Sequence, residues 1–383
     1  MAIKKILMVC QVWPTFEHSG LAFCAGEHCA ILSELGHEIC IASSNPRVLE
    51  AVGKMPIKDA FYIPLDEFNF LTFRKDVNQK KAQEVIDAMQ PDLIIVEAWQ
   101  TAIGDAFIDL ASKSKIKVAM ISHGISLHPF SWRPKDLLRS ISWLPYRWLV
   151  FPGLIKKLTL LSALDLNSKS KRFFDREFAK KLGVPVTLLA NTPVHYSNEV
   201  LPLSMRNRQI LIVGYFSDIK NQLAALRVAK ALKKQEILFK FVGDKKGAYF
   251  QKCINFVVKN ELQNIVMFED DKECDLSLEI SRSLVVFSPA SSEALSLALL
   301  ESMASGTPIV ATNVGANSSL VGVILAGRLD EQLKAISDLA RDQELWIECS
   351  MLEQVCFQKQ FTRSIIKEQL CVLLSLVERR HLF

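Results

Sequence analysis

Short runs of consecutive apolar residues alternate along this chain with longer segments in which apolar residues recur every three or four positions. Strands buried on both faces of a parallel sheet read as such unbroken runs, and the helices covering the sheet read as the amphipathic segments between them. In the first half the runs predict strands over residues 5–10, 38–42, 92–97, 118–122 and 186–189, with a helix over 27–35 that Gly36-His37 stops. A second series predicts strands over 209–214, 239–243, 265–268, 284–288 and 308–312, again separated by helices. Between them, Pro193, Pro202 and several polar residues interrupt the periodicity over 191–208, as a linker does. The pattern therefore predicts an α/β chain of two doubly wound parallel-sheet domains, 1–195 and 205–360. Residues 361–383 read as a C-terminal helix, open to packing back on the N-terminal domain.

Composition supports this division. With 383 residues the chain exceeds the roughly 250–300 at which one core stops growing, so two cores are expected. Half of the residues are apolar and 23% are charged, which excludes a disordered or fibrous chain. A formal charge of +5 is modest, and no zinc-finger, basic-zipper or RNA-binding motif occurs, so no nucleic-acid partner is expected. The nine cysteines are odd in number, scattered, and contain no Cys-x-x-Cys pair, which argues against a disulfide framework or a zinc site and for reduced thiols. The apolar run near Met1 is short and reads as a first strand rather than a signal peptide. The most apolar region, 148–166, is cut by Pro152, Gly153 and Lys156-Lys157, so no membrane span is expected. These readings place the protein in the cytoplasm, soluble or peripheral at the inner face of the plasma membrane.

In open parallel sheets ligands bind beyond the carboxyl ends of the strands, so the loops after Gly214, Gly243, Ser288 and Thr312 should converge. The strand ending at Ser288 leads into Pro289-Ala-Ser-Ser-Glu293-Ala-Leu295-Ser296, and a helix is predicted from about Ser296 to Gly306. Its start offers free backbone N–H groups and the positive end of the helix dipole to a phosphate. Glu293 in the loop and Glu301 in the helix offer acceptors to neighbouring hydroxyls.

The stretch from Ser288 through Glu293, Glu301, Gly306 and Pro308 resembles the glutamate-x7-glutamate motif of the glycosyltransferase family 4 group. That resemblance implies the GT-B fold, two Rossmann-like domains facing a cleft, and retaining transfer from a nucleoside diphosphate sugar; a glycan or lipid-linked acceptor in cell-surface polysaccharide or lipopolysaccharide synthesis is the expectation that the basic aromatic stretch over 132–148 motivates. The resemblance gives Glu293 the donor-sugar side, Glu301 the ribose hydroxyls, and the amides of Leu295, Ser296 and Leu297 the diphosphate. The family's glycine-arginine-x5-lysine pattern appears as Gly214, Tyr215 and Lys220, with the lysine one residue early and the arginine replaced. A phenol cannot supply the charge of a bidentate guanidinium. The resemblance further assigns Gly243 to a base-binding turn, His123 to the reaction centre, and Gly20, after Ser19, to the glycine-rich loop following the first strand.

Transfer through an oxocarbenium-like centre needs a stabilised leaving diphosphate more than a strong base, a task that falls to Lys220 and the helix start. No Asp-x-Asp triplet occurs, so neither a cofactor nor an obligatory metal is expected. Trp132, Arg133, Lys135, Arg139, Trp143, Arg147 and Trp148 interleave aromatic and basic side chains as a bilayer-contact surface does, although a helical hairpin with solvated basic ends has the same composition. Tyr215 also suits a second class, a non-catalytic GT-B subunit that binds a nucleotide sugar or a partner. A nicotinamide-dependent oxidoreductase is set aside, because neither glycine-bearing loop supplies Gly-x-Gly-x-x-Gly.

Overall fold

The computed structural model describes residues 3–17, 19–69, 74–125, 141, 143–193, 196 and 200–380. They form two units, Met1–Ala190 with Ile366–Phe383, and Asn191–Ile365. In the first unit the strands are β1 (Lys5–Val9), β2 (Glu38–Ser43), β3 (Asp59–Tyr62), β4 (Leu65–Asn69), β5 (Arg74–Val77), β6 (Leu93–Glu97), β7 (Lys117–Ser122), β8 (Leu160–Ala163) and β9 (Val186–Leu188). Seven make one sheet in the order β3-β2-β1-β6-β7-β8-β9, every pairing parallel, while β4 and β5 form a separate antiparallel ribbon.

All five residues of β6 are buried, as a strand covered on both faces requires. Helices α1 (Gly20–Glu34), α2 (Gln79–Met89) and α3 (Ala102–Lys113) supply that cover. Each starts where a short polar side chain satisfies an orphan N–H: Ser19 Oγ accepts from Ala22, Asn78 Oδ1 from Lys81 and Thr101 Oγ1 from Gly104. Ile103, Phe107, Ile108 and Ala111 of α3 are wholly buried, and each large apolar side chain so placed stabilises the unit by about 1.5–3 kcal/mol.

Sequence periodicity misses some of these elements for identifiable reasons. It starts α1 seven residues late, because 20–26 holds two glycines and no polar period. It overlooks β8, whose four residues begin after a three-residue break from the apolar helix α4 (Phe151–Lys156), and a run that short cannot be told from helix by period.

The second unit repeats the plan with β10 (Asn207–Val213), β11 (Leu238–Val242), β12 (Val266–Glu269), β13 (Ser283–Ser288), β14 (Ile309–Ala311) and β15 (Ile324–Leu325), in the parallel order β12-β11-β10-β13-β14-β15. The C-terminal helix, Arg363–Arg379, joins the first unit from Ile366 onward. Glu378 Oε1 accepts from Ile3 N at 3.0 Å, and Lys117 Nζ donates to the carbonyls of Val377 and Glu378 at 2.9 and 3.0 Å. The helix before it, Gln343–Gln360, stays with the second unit, where Trp346 Nε1 donates to the Leu284 carbonyl at 2.8 Å.

One buried cation ties the second unit together. Arg206 donates to the carbonyls of Leu201, Ser283, Ser305 and Gly306 and to Thr307 Oγ1, at 2.6–3.2 Å, and lies 4.8 Å from the Trp346 ring centroid. Burial pushes its guanidinium down to about 10, so it remains charged at neutral pH. Replacing it with methionine strands several buried carbonyls at about 1–3 kcal/mol each when left unsatisfied. Urea unfolding of Arg206→Met should therefore show a loss of about 3 kcal/mol or more, and a change below 1 kcal/mol would show that this cluster does not anchor the unit.

Candidate functional site

Each sheet reverses its strand order at one place, where chain connections leave in opposite directions and open a crevice beyond the strand ends. In the second unit this point lies between β10 and β13, and in the first between β1 and β6. The candidate residues collect at these two points.

In the second unit the loop after β13 is held by the loop after β10. Ser291 N donates to the Ile219 carbonyl at 2.7 Å and Asn221 Nδ2 to that of Pro289 at 3.2 Å. From the other side Ala316 N donates to the Ala294 carbonyl at 2.7 Å and Thr312 Oγ1 to that of Ala290 at 2.5 Å. Gly315 makes that approach possible. Its φ is +56°, and a Cβ there would lie 2.2 Å from the carbonyl oxygens of both Glu293 and Ala294. Gly243 has a comparable role, since a Cβ on it would stand 2.3 Å from the Gly214 carbonyl oxygen. Backbone crowding alone thus accounts for glycine at 243.

Within this frame Lys220 Nζ meets Glu293 Oε2 at 2.5 Å, both side chains being four-fifths buried. The stem of Lys220 runs beside Gly214, where a Cβ would come within 3.2–3.5 Å of its methylenes. Tyr215 stands with 55% of its surface exposed, its ring centroid 6.0 Å from Lys220 Nζ. The structure therefore brings Gly214, Tyr215, Lys220, Gly243 and Glu293 together.

The helix α5 (Leu297–Ala304) begins after Ser296 with no side-chain cap. Among the described residues no hydrogen bond engages the N–H of Leu295, Ser296 or Leu297, which leaves three successive donors at a helix start. One turn on, Glu301 is buried, and none of the described residues hydrogen-bonds its carboxyl. Burial without a compensating partner pushes it up to about 7. A neutral diol would satisfy such a group, whereas a cation would depress it.

In the first unit Glu97 ends β6 fully buried between two histidines. His28 Nδ1, from α1, lies 2.7 Å from Glu97 Oε1, and His123 Nε2, just past β7, lies 2.7 Å from Oε2. Burial opposes ionisation of Glu97, but the charge and hydrogen bonds of the two imidazoles outweigh it and hold the carboxyl at about 2. Sequence reasoning picks out His123 and misses Glu97 and His28. The available signal was one acid closing the apolar run 93–97, since a lone carboxylate at the carboxyl end of a buried strand needs partners. Gly20 proves to be the first residue of α1, capped by Ser19.

Trp143 packs edge-on against buried Tyr146 at 5.3 Å, and the Arg147 guanidinium lies 4.8 Å from the Phe174 ring centroid. Trp148 is 67% exposed beside Leu149 at 68%. Trp132, Arg133, Lys135 and Arg139 lie outside the described residues. Among the described residues no helix is long and apolar enough to cross a membrane, and no group of three or more His, Cys, Asp or Glu could hold a metal ion.

The burial of Glu301 predicts a pH dependence of stability. Its folded-state value lies above the ordinary 4.5, so folding favours the protonated form, and stability is lost as pH rises from about 4.5 through about 7. At 1.36 kcal/mol per unit the full loss is about 3 kcal/mol. Glu301→Gln should be less sensitive to pH over that window and more stable than wild type at pH 8. Urea midpoints measured from pH 5 to 8 test this, and parallel curves for the two proteins would refute it.

Residues 197–359 match the family described as Glycosyl transferases group 1. An uncharacterized glycosyltransferase of Methanocaldococcus jannaschii is 31% identical over 91 residues, 24% of this chain and 25% of that protein. The chain thus spans about a quarter of the length of that curated relative. Among solved structures, a glycosyltransferase from Rickettsia africae ESF-5 superposes with a TM-score of 0.75 at 14% identity, covering 99% of this chain and all of that one. Anabaena HepE, solved in complex with UDP and glucose, superposes at 0.72 with 16% identity, covering 97% and 99% of the two chains. At these identities the likeness is one of fold, and the fold is GT-B. The unit that carries Glu293 and Glu301 thus contains the stretch that matches glycosyl transferases group 1, in a chain with the GT-B fold.

Proposed function

We propose that this protein is a retaining glycosyltransferase that moves a sugar from a nucleoside diphosphate sugar to a glycan or lipid-linked acceptor, in the synthesis of a cell-surface polysaccharide or lipopolysaccharide. The observation that carries the reading is the juxtaposition of the Lys220–Glu293 pair with the amides of Leu295, Ser296 and Leu297, which have no partner among the described residues, inside the region that matches group 1 transferases. Lys220 and those amides neutralise the departing diphosphate, the role a divalent cation plays elsewhere, so transfer runs without an obligatory metal. Glu293 holds Lys220 in place before the donor arrives and accepts from the donor sugar. Glu301 accepts from the ribose hydroxyls, and Gly243 leaves the base room to approach the backbone. The family resemblance assigns His123 and Gly20, in the first unit, to the same reaction. Trp148 and Leu149, exposed beside Arg147, support a further part of the reading, that the first unit touches the inner face of the plasma membrane where a lipid-linked acceptor would lie.

Tyr215 favours a second reading, a nucleotide-sugar-binding subunit without turnover, because it removes one of the two expected cations. A thermal-shift screen of nucleoside diphosphates and their sugars tests donor binding, since a ligand bound only by the native state raises the midpoint. At least one diphosphate should do so, and silence across the panel would overturn both readings. With the donor in hand, release of the diphosphate and the anomeric configuration of the product, followed by NMR, separate transfer from binding and retention from inversion. Lys220→Ala should lower kcat by about 100-fold or more, in the range of other lost leaving-group or oxyanion contacts. Tyr215→Arg should tighten diphosphate binding about tenfold through a charge-assisted bidentate contact, equivalent to about 1.4 kcal/mol. Unchanged affinity in that variant would mean that the phenol does not face the phosphates.

A further inference from the structure

The group in the first unit that the transfer reading leaves unexplained is the carboxylate between two imidazoles. Glu97 is fully buried at the carboxyl end of β6, and its two oxygens are divided between His28 Nδ1 and His123 Nε2, each at 2.7 Å. Three elements therefore converge on one charge: α1 through His28, β6 through Glu97, and the segment after β7 through His123. The two ring centroids lie 6.5 Å apart at 34°, so the carboxylate bridges the rings and they do not stack. The buried thiols of Cys10 and Cys29 also feel Glu97, and burial followed by that negative charge pushes both far above the ordinary thiol range. They stay neutral, leaving the two imidazoles as its hydrogen-bond partners.

The arrangement is asymmetric. His28 is 2% exposed, whereas His123 is 12% exposed, and no hydrogen bond among the described residues reaches His123 Nδ1. An ionised carboxylate can only accept, so the nitrogen it contacts must carry the proton. On neutral His123 that fixes the proton on Nε2 and leaves the lone pair on Nδ1, the nitrogen without a partner among the described residues.

We propose that Glu97 is a positioning residue for His123: it holds the Nε2–H tautomer, so that Nδ1 is presented as an acceptor for a sugar hydroxyl, while His28 holds the second carboxylate oxygen and fixes the rotamer of Glu97. The hydroxyl rests on the transferase reading above, and the tautomer does not. A carboxylate that orients an imidazole in this way behaves as the outer partner of a metal-bound histidine does, where its loss costs about 10–100-fold.

Two measurements decide the matter, one of them independent of turnover. Long-range 15N–1H correlation spectra of the folded wild type, recorded above the pH at which the imidazoles titrate, should show a protonated Nε2 and a bare Nδ1 for His123. Glu97→Gln should lose that preference, because an amide can meet either tautomer. His28→Gln should leave the tautomer of His123 in place while broadening its signals. A wild-type spectrum with the proton on Nδ1, or an unchanged tautomer in Glu97→Gln, overturns the proposal. Should Glu97→Gln fail to fold, as its circular dichroism would reveal, the wild-type spectrum still decides.

In the kinetic arm Glu97→Gln should lower kcat about 10–100-fold with less than a threefold change in donor KM, and Glu97→Asp should recover part of the loss. A lowered melting point with unchanged kcat would mark Glu97 as structural only and overturn its positioning role. Absence of any transferase activity in wild type would sink the transfer reading and leave the tautomer result standing on its own.

Discussion

A parallel sheet cannot fold its connections back over all of its strand ends. Wherever the strand order turns from one direction to the other, the crossovers part, and polar backbone and side chains gather in the gap. This chain meets that constraint twice, between β1 and β6 and between β10 and β13. In the second unit the glycines at 243 and 315 let backbone segments approach to distances that any side chain would forbid, and the loop bearing Glu293 is clamped from both sides.

Two buried carboxyls, one in each unit, are treated in opposite ways. Glu97 sits between two imidazoles and is held ionised at about 2, whereas Glu301 has no such partner among the described residues and rises to about 7. Glu353, wholly buried, follows Glu301 in direction: burial raises it, and one bond from Ile309 N at 2.9 Å offsets little of that. Since an unpaired buried charge is costly, a chain retains one where another selective need exists or where the group can stay neutral. Glu353 keeps one partner, Ile309 N at the start of β14, while no hydrogen bond among the described residues reaches the Glu301 carboxyl.

Much of this was legible in the sequence. The strands at 5–10, 38–42, 92–97, 118–122 and all of the second unit's except the two-residue β15 announce themselves as apolar runs, because burial on both faces leaves no room for alternation. Glu293, Glu301, Lys220 and the helix start at Ser296 were legible because they lie close together in sequence or in a recognisable pattern. Glu97 and His28 were not, since 69 residues separate them and only the β1–β6 pairing brings them together. The function of Gly315 was equally hidden, because its crowding depends on a loop more than twenty residues away in the chain. Short elements such as β8 and the β4–β5 ribbon escape because four or five residues cannot display a period.

The path of the backbone carries one more consequence. Because the helix Arg363–Arg379 returns to the first unit from Ile366, the second unit is an insertion, entered after Ala190 and left after Ile365. On the ribosome the inserted unit emerges complete, while its host still lacks the strip that covers the backbone of Ile3 and the amine of Lys117. The unit whose residues come first is therefore finished last. A truncation of the last eighteen residues would strip the first unit of its contacts at Ile3 and Lys117 while leaving the second unit whole.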